Sequence, residues 1–376
     1  MALDLNIAKV NLQQLAKNIR LVREGLDRRV KLLFVVKGDA YGHGMLHVAK
    51  LAEESGVDYL GVSNAAEGEK LRVAGIKLPI LIMGPSLDEH ARRLVELDFD
   101  IAVTDVGSAQ VLDQESQARG VRTSVHVNVD TGMGRSGVFP ERAVPIFRAL
   151  CSLSHLRIKG VFSHLSTSHL QGVAGRKYTL QQIEKFNQVL GALEKANMLP
   201  PLRHIASSYA LVRYANAVSQ GYFNMVRIGE LIYGYNIALN QAWGKEIKPA
   251  MSVTTRIVEI REVPAGHYIG YGRTYRTNSP RRVALLPIGY ADGLDLRLSN
   301  RGEVAVGGRR APIIGEISMN QTTIDITEVD HVHVGDEVEI IGPQIPVAEL
   351  AYKAGMEPLE LLTSFSRIRH IYIRDD

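Results

Sequence analysis

The feature that most limits the possible folds of this chain is a rhythm. From Lys31 onward, short apolar runs recur at 32–36, 59–62, 79–83, 101–103, 124–129, 158–162, 202–206 and 224–228. Each has the length and β-branched content of a buried strand. Helix-like segments lie between most of them, for example at 46–55, 65–74, 87–97, 108–119 and 178–195. Strands that alternate with helices pair in parallel, because each crossover carries the chain back to the same edge. Eight such units in about 200 residues close into a (β/α)8 barrel of TIM type more readily than they spread into an open sheet. A short strand and a helical pattern over 11–24 precede them.

After Tyr235 the rhythm changes. Closely spaced strand patterns follow over 250–341 (SVTTRIVEI, RRVALLPIGY, TTIDI, DEVEIIG), separated by glycine turns and without long helices. This predicts an α/β chain in which a barrel, residues 1–240, precedes a mainly antiparallel β domain, residues 241–376. The boundary is expected between Asn236 and Pro249. Two helix-like stretches, 347–354 and 358–365, lead to a last strand near Ile371.

A barrel places its chemistry at the carboxyl ends of its strands. Those ends read Lys37, Ser63-Asn64, Gly84, Thr104-Asp105, 130–135, Ser163-His164, Ser207-Ser208 and 227–229. Lys37 ends the run KLLFVV where the apolar core meets a loop. Desolvation there disfavours the ammonium and makes the amine a better nucleophile and base. The alternative is a strand-end lysine that snorkels to solvent. Arg227 sits inside the last barrel strand, where its charge must be paired or face a ligand. His164 and His204 both fall at strand ends, and two mouth histidines point to function more than one does. Tyr271, in IGYGRTY, lies on a loop that flanking glycines can bring close to a ligand, although taken alone it reads first as a packed loop aromatic.

Other patterns carry less. Residues 132–137 match GxGxxG, but Pro140 interrupts any helix there and the region about Arg157 and Lys159 is basic, so a dinucleotide is not expected. That loop instead presents Asp130 and Arg135, whose planar fork suits a carboxylate. His43 and His47 stand four apart without a third ligand at a recognised spacing, and no metal is expected. Cys151 is the only cysteine, which excludes an intrachain disulfide; its helical pattern gives it a buried packing role. The formal charge of +4 is spread among acids, with basic doublets such as Arg281-Arg282 and Arg309-Arg310, so no nucleic-acid stripe is expected. No apolar run nears a membrane span, and an early Asp4 without an apolar h-region argues against a secretory signal. A cytoplasmic protein is expected.

Taken in order, VVKGDAYGHG, VDTGMGRSG, SHL, HIASS, MVRIGELIYG, IGYGRTY and IGYADG closely resemble the alanine racemases. The resemblance implies a pyridoxal 5'-phosphate enzyme that interconverts L- and D-alanine, a source of D-alanine for peptidoglycan precursors. It assigns Lys37 the covalent attachment of the cofactor and the base for the D-form. Tyr41, Ser208, Gly229 and Glu230 surround the phosphate, and Arg227 donates to the pyridine nitrogen with His204 and His164 behind it. Arg135, Tyr290, Met319 and Asn320 lie about the substrate. Tyr271, the base for the L-form, and Met319 come from the second domain of the other subunit, which implies a homodimer with composite active sites.

Five positions depart from the family pattern. Asn128 replaces a lysine that steadies Arg135, Ser318 and Asn320 replace Cys and Asp around Met319, Glu316 stands where an entryway arginine is common, and Ser366 replaces a tyrosine that narrows the pocket. A wider pocket would admit serine or a larger, cationic amino acid. A decarboxylase of the same architecture would want a second-domain cysteine, which is absent. A non-catalytic carrier would leave residues 250–376 and Tyr271 without use.

Overall fold

The computed structural model describes residues 3–218, 221–236, 242–243 and 246–374. Eight parallel strands form the first sheet: β2 (Lys31–Val35), β3 (Tyr59–Val62), β4 (Ile80–Ile82), β5 (Asp100–Val103), β6 (Thr123–Asn128), β7 (Leu156–Phe162), β8 (Leu202–His204) and β9 (Met225–Ile228). Neighbours in sequence are neighbours in the sheet, and β9 returns to β2 with Val226 opposite Leu32. The remaining seam is closed by Asn224 N–H to the Arg203 carbonyl (3.1 Å) and Arg227 N–H to the Ala206 carbonyl (3.0 Å). β3, β4, β5 and β9 are buried at every position, as strands covered on both faces must be.

The first strand, β1 (Ile7–Asn11), corrects the expectation that residues 1–240 form the barrel. It pairs antiparallel with β10 (Met251–Arg256) and parallel with Arg369–Ile373, inside the six-stranded sheet of the second domain. The reason is local. IAKVN buries only alternate residues, Ala8 and Val10, which suits a sheet with one wet face rather than a barrel wall. The same sheet holds Glu303–Val306, Arg309–Pro312 and Glu337–Ile341, and a three-stranded antiparallel sheet lies apart from it. Residues 237–241, where the domain boundary was expected, lie outside the described residues.

The second domain grips the turn that follows β2. Gly38, Asp39, Ala40 and Tyr41 all have φ between 52° and 60°, a left-handed turn that costs an L-residue roughly 1–2 kcal/mol each. Tertiary contacts hold it: Glu67 accepts from Gly38 N–H (2.7 Å) and Asp39 accepts from Met45 N–H (2.7 Å). The helix Pro358–Ser364 packs across it, so closely that a Cβ on Gly42 would come within 2.5 Å of the Leu362 carbonyl oxygen. His370 Nε2 meets the Gly42 carbonyl at 2.8 Å, and His47 stacks on Tyr372. His43 instead lies buried against Tyr233, so the two histidines serve different packing contacts.

Burial pushes the His43 ring down to about 4, although the Tyr41 and Ala40 carbonyls favour its protonated form. Its pKa in the unfolded chain is the ordinary 6.5. Between those values the unfolded state binds more protons, so stability falls as pH falls. Lowering the pH from about 7 to about 4.5 should remove about 1–3 kcal/mol through this ring. Thermal melting across that range should show the loss, with a shallower slope in His43→Asn.

Candidate active site

A cavity of about 800 Å³ opens at the carboxyl ends of the barrel strands. Lys37, Tyr41, Arg135, His164, Ser208, Arg227, Gly229 and Glu230 all line it. The structure therefore brings together the sequence-predicted residues of the barrel, with His204 buried directly behind Arg227.

Lys37 is half-buried two residues past β2. Burial lowers its pKa, and the nearby charges of Arg135 and Arg227 lower it further against the pull of Glu67. Arg227 is held from every side. Its Nη1 donates to His204 Nδ1 (2.9 Å) and the His204 carbonyl (3.1 Å). Its Nη2 donates to the Ser163 carbonyl (2.7 Å), His164 Nδ1 (3.2 Å) and the Ile205 carbonyl (3.4 Å). The Phe162 ring lies under the guanidinium and stacks on His204. Burial, then Arg135, lowers Arg227 to about 10, so it stays a cation at neutral pH. The Nε–H makes no hydrogen bond to a described residue. Burial and the charges of Arg227, Arg135 and Lys37 push His164 down to about 3, which keeps it neutral.

A second group of donors faces the same cavity. Ser208 Oγ accepts from Gly229 N–H (3.4 Å) and Leu231 N–H (3.2 Å). Gly229 lets the backbone approach Tyr41; a Cβ there would sit 3.0 Å from the Tyr41 hydroxyl. Burial, then Glu230 and Glu67, raises the Tyr41 phenol, which leaves it a neutral donor. Glu230 accepts from Asn236 Nδ2 at 2.8 Å, and burial raises its carboxyl.

The glycine loop after β6 is an anion nest filled from within. Asp130 accepts from the N–H groups of Gly132 (2.9 Å), Met133 (2.7 Å) and Gly134 (2.9 Å), which leaves no cradle for a pyrophosphate. The loop presents Arg135, which makes no hydrogen bond or ion pair among the described residues. Asn128 donates to the Ser136 carbonyl (3.0 Å) and so fastens the loop without touching the Arg135 guanidinium.

The second-domain residues do not join this cavity. Tyr271, Tyr290 and Met319 are 68%, 46% and 56% exposed, Asn320 is exposed beside them, and none lines it. Tyr290 and Met319 share a surface, since Tyr290 N–H donates to the Ser318 carbonyl (3.2 Å) and Ala291 N–H to the Met319 carbonyl (2.9 Å). Ser366 is also exposed and off the cavity, whose second-domain wall is Glu357, Pro358 and Leu359. Cys151 ends the helix Ala143–Cys151 and is exposed rather than buried, because the last turn rolls it off the packed face. The residues that sequence reasoning missed are His126, Asp100 and Lys159, which extend the polar interior behind His204. Their one signal was polar residues inside otherwise apolar strands.

Known proteins match this chain in sequence and fold over nearly its whole length. The family models for the alanine racemase N-terminal and C-terminal domains match residues 10–237 and 250–372. Alanine racemase 2 of Caldanaerobacter subterraneus subsp. tengcongensis is 39% identical over 374 residues, covering 97% of this chain and 94% of its own. The alanine racemase structure of Clostridium difficile 630 superposes with a TM-score of 0.92 at 30% identity, covering 99% of this chain and 97% of its own. That of Bartonella henselae, with covalently bound pyridoxal phosphate, gives 0.85 at 25% identity over 98% and 99%. A barrel that gathers Lys37, Arg227 and Arg135 at its mouth, joined to this second domain, thus has full-length relatives of one kind, and the chain belongs to the alanine racemase family.

Proposed function

We propose that the chain is a pyridoxal 5'-phosphate-dependent isomerase that interconverts L- and D-alanine. The observation that carries this reading is the meeting of a desolvated Lys37 amine with the buried Arg227 in one cavity. The cavity fits the cofactor by its donors. Arg227 keeps a spare Nε–H for a ring nitrogen, while Tyr41, Ser208 and the close backbone at Gly229 make a cradle for a phosphate. When bound, the cofactor supplies a conjugated ring that draws electron density from the substrate Cα and acidifies its hydrogen.

The chain's own residues do the rest. Lys37 holds the cofactor and carries a proton to or from Cα on one face. Arg227 binds the ring nitrogen but does not surrender its proton, which limits electron withdrawal and favours simple return of a proton to Cα. Arg135, with no hydrogen-bond or ion-pair partner among the described residues, takes the substrate carboxylate through its fork. Inversion needs a second proton carrier on the opposite face. Tyr271 fills that role from the other subunit of a homodimer, which accounts for its exposure here. We place the enzyme in the cytoplasm, supplying D-alanine for peptidoglycan; a single cysteine suits a reducing compartment. Among the described residues no helix is long and apolar enough to cross a membrane.

Incubation with L-alanine in heavy water should yield D-alanine that carries solvent deuterium at Cα. Carbon dioxide release would instead make the chain a decarboxylase. A higher kcat/KM for serine or lysine than for alanine would move the substrate away from alanine.

A further inference from the structure

Arg227 is buried and, among the described residues, pairs with no carboxylate; its Nη groups donate there to imidazoles and carbonyls. A guanidinium can only donate, so His204 Nδ1 must accept from it. Burial, then the charges of Arg227 and His126, keeps the His204 ring neutral, so its proton sits on Nε2. That nitrogen lies 3.0 Å from His126 Nδ1, which therefore accepts in turn. His126 is also neutral by burial, and its own Nε2–H points at Asp100 Oδ2, 3.3 Å away. Burial opposes the Asp100 charge, but the hydrogen bond from His126 and the Lys159 ammonium, 2.9 Å from Oδ2, hold the carboxyl below its ordinary value. The donor-only end and the acceptor-only end thus allow one direction of hydrogen bonding.

The four groups come from β9, β8, β6 and β5. They cross the barrel interior from the mouth to the amino end, where Asp100 begins its strand. The fold makes room for the chain. Gly160 stands opposite His126 on β7, a Cβ there would sit 2.2 Å from His126 Nδ1, and the register slips between Val125 and His126.

We propose that Asp100 and His126 are positioning residues. The carboxylate at the closed end of the barrel fixes, through two neutral imidazoles, the orientation of the guanidinium that faces the cofactor ring. This rests on the function above for what Arg227 faces, though the hydrogen-bond chain itself does not.

The test is nitrogen-15 NMR of histidine-labelled protein stripped of cofactor, with thermal melting as a control. In the wild type both rings should be neutral with the proton on Nε2; a proton on Nδ1 of either ring overturns the proposal, whatever becomes of the variants. Asp100→Ala should change the signals of His204 as well as His126, and Asp100→Asn, which keeps an acceptor, should restore both. In the loaded enzyme Asp100→Ala should lower kcat about 10- to 100-fold with little change in KM. A folded Asp100→Ala protein with wild-type His204 signals and wild-type kcat would make Asp100 merely structural and overturn the proposal. The expected ring signals in a wild-type protein without racemase activity would support the hydrogen-bond chain and overturn the function.

Discussion

Lys37→Ala should lower kcat by about a thousandfold or more while leaving the fold intact. The side chain makes no hydrogen bond to a described residue, and its charge lies near the cations of Arg135 and Arg227. Removing it relieves that repulsion. Glu67, the one acid that favours its charge, keeps its bonds to Gly38 N–H (2.7 Å), Ser63 N–H (2.8 Å) and Ser63 Oγ (2.7 Å). The melting temperature should therefore hold or rise slightly. The borohydride-sensitive absorbance of the cofactor, expected near about 420 nm, should disappear, and dialysis should remove what cofactor remains. A variant that retains a tenth of wild-type kcat, or the same absorbance, would place the attachment elsewhere.

The barrel was legible because its strands are covered on both faces and so read as apolar runs, and because Lys37, His164 and Arg227 break those runs at their ends. The domain bounds grouped β1 with the barrel although IAKVN alternates, since order along the chain was given more weight than period. The left-handed turn at 38–41 was not legible. Glycines at 38, 42 and 44 hinted at it, but Asp39, Ala40 and Tyr41 take positive φ only because Glu67 and the helix Pro358–Ser364 enforce it. His126 shows another limit. A histidine in SVHVN says nothing of what it faces until the pairing sets Gly160 opposite and His204 beside it.

Tyr271 gives the sharpest test of a shared site. The hairpin Tyr268–Ile269/Tyr275–Arg276 holds its loop, Gly270 packs against Gly315 and Glu316, and Arg273 lies over the Tyr268 ring. An aromatic side chain held outward this firmly, 68% exposed, is suited to a partner's surface. In a two-fold dimer the same patch serves both subunits, so each Tyr271 would complete the other's Lys37 site. Tyr271→Phe alone should lower racemisation about 100- to 10,000-fold, yet Lys37 should still exchange the Cα hydrogen of D-alanine with heavy water. Co-expression with Lys37→Ala then separates the two arrangements. Each mixed dimer would pair one intact lysine with one intact tyrosine across the interface, and random pairing would restore about a quarter of wild-type activity. If Tyr271 served its own chain, every site would lack one base and mixing would restore nothing. Recovery in the mixture, with both parents inactive, requires that the lysine of one subunit work with the tyrosine of the other.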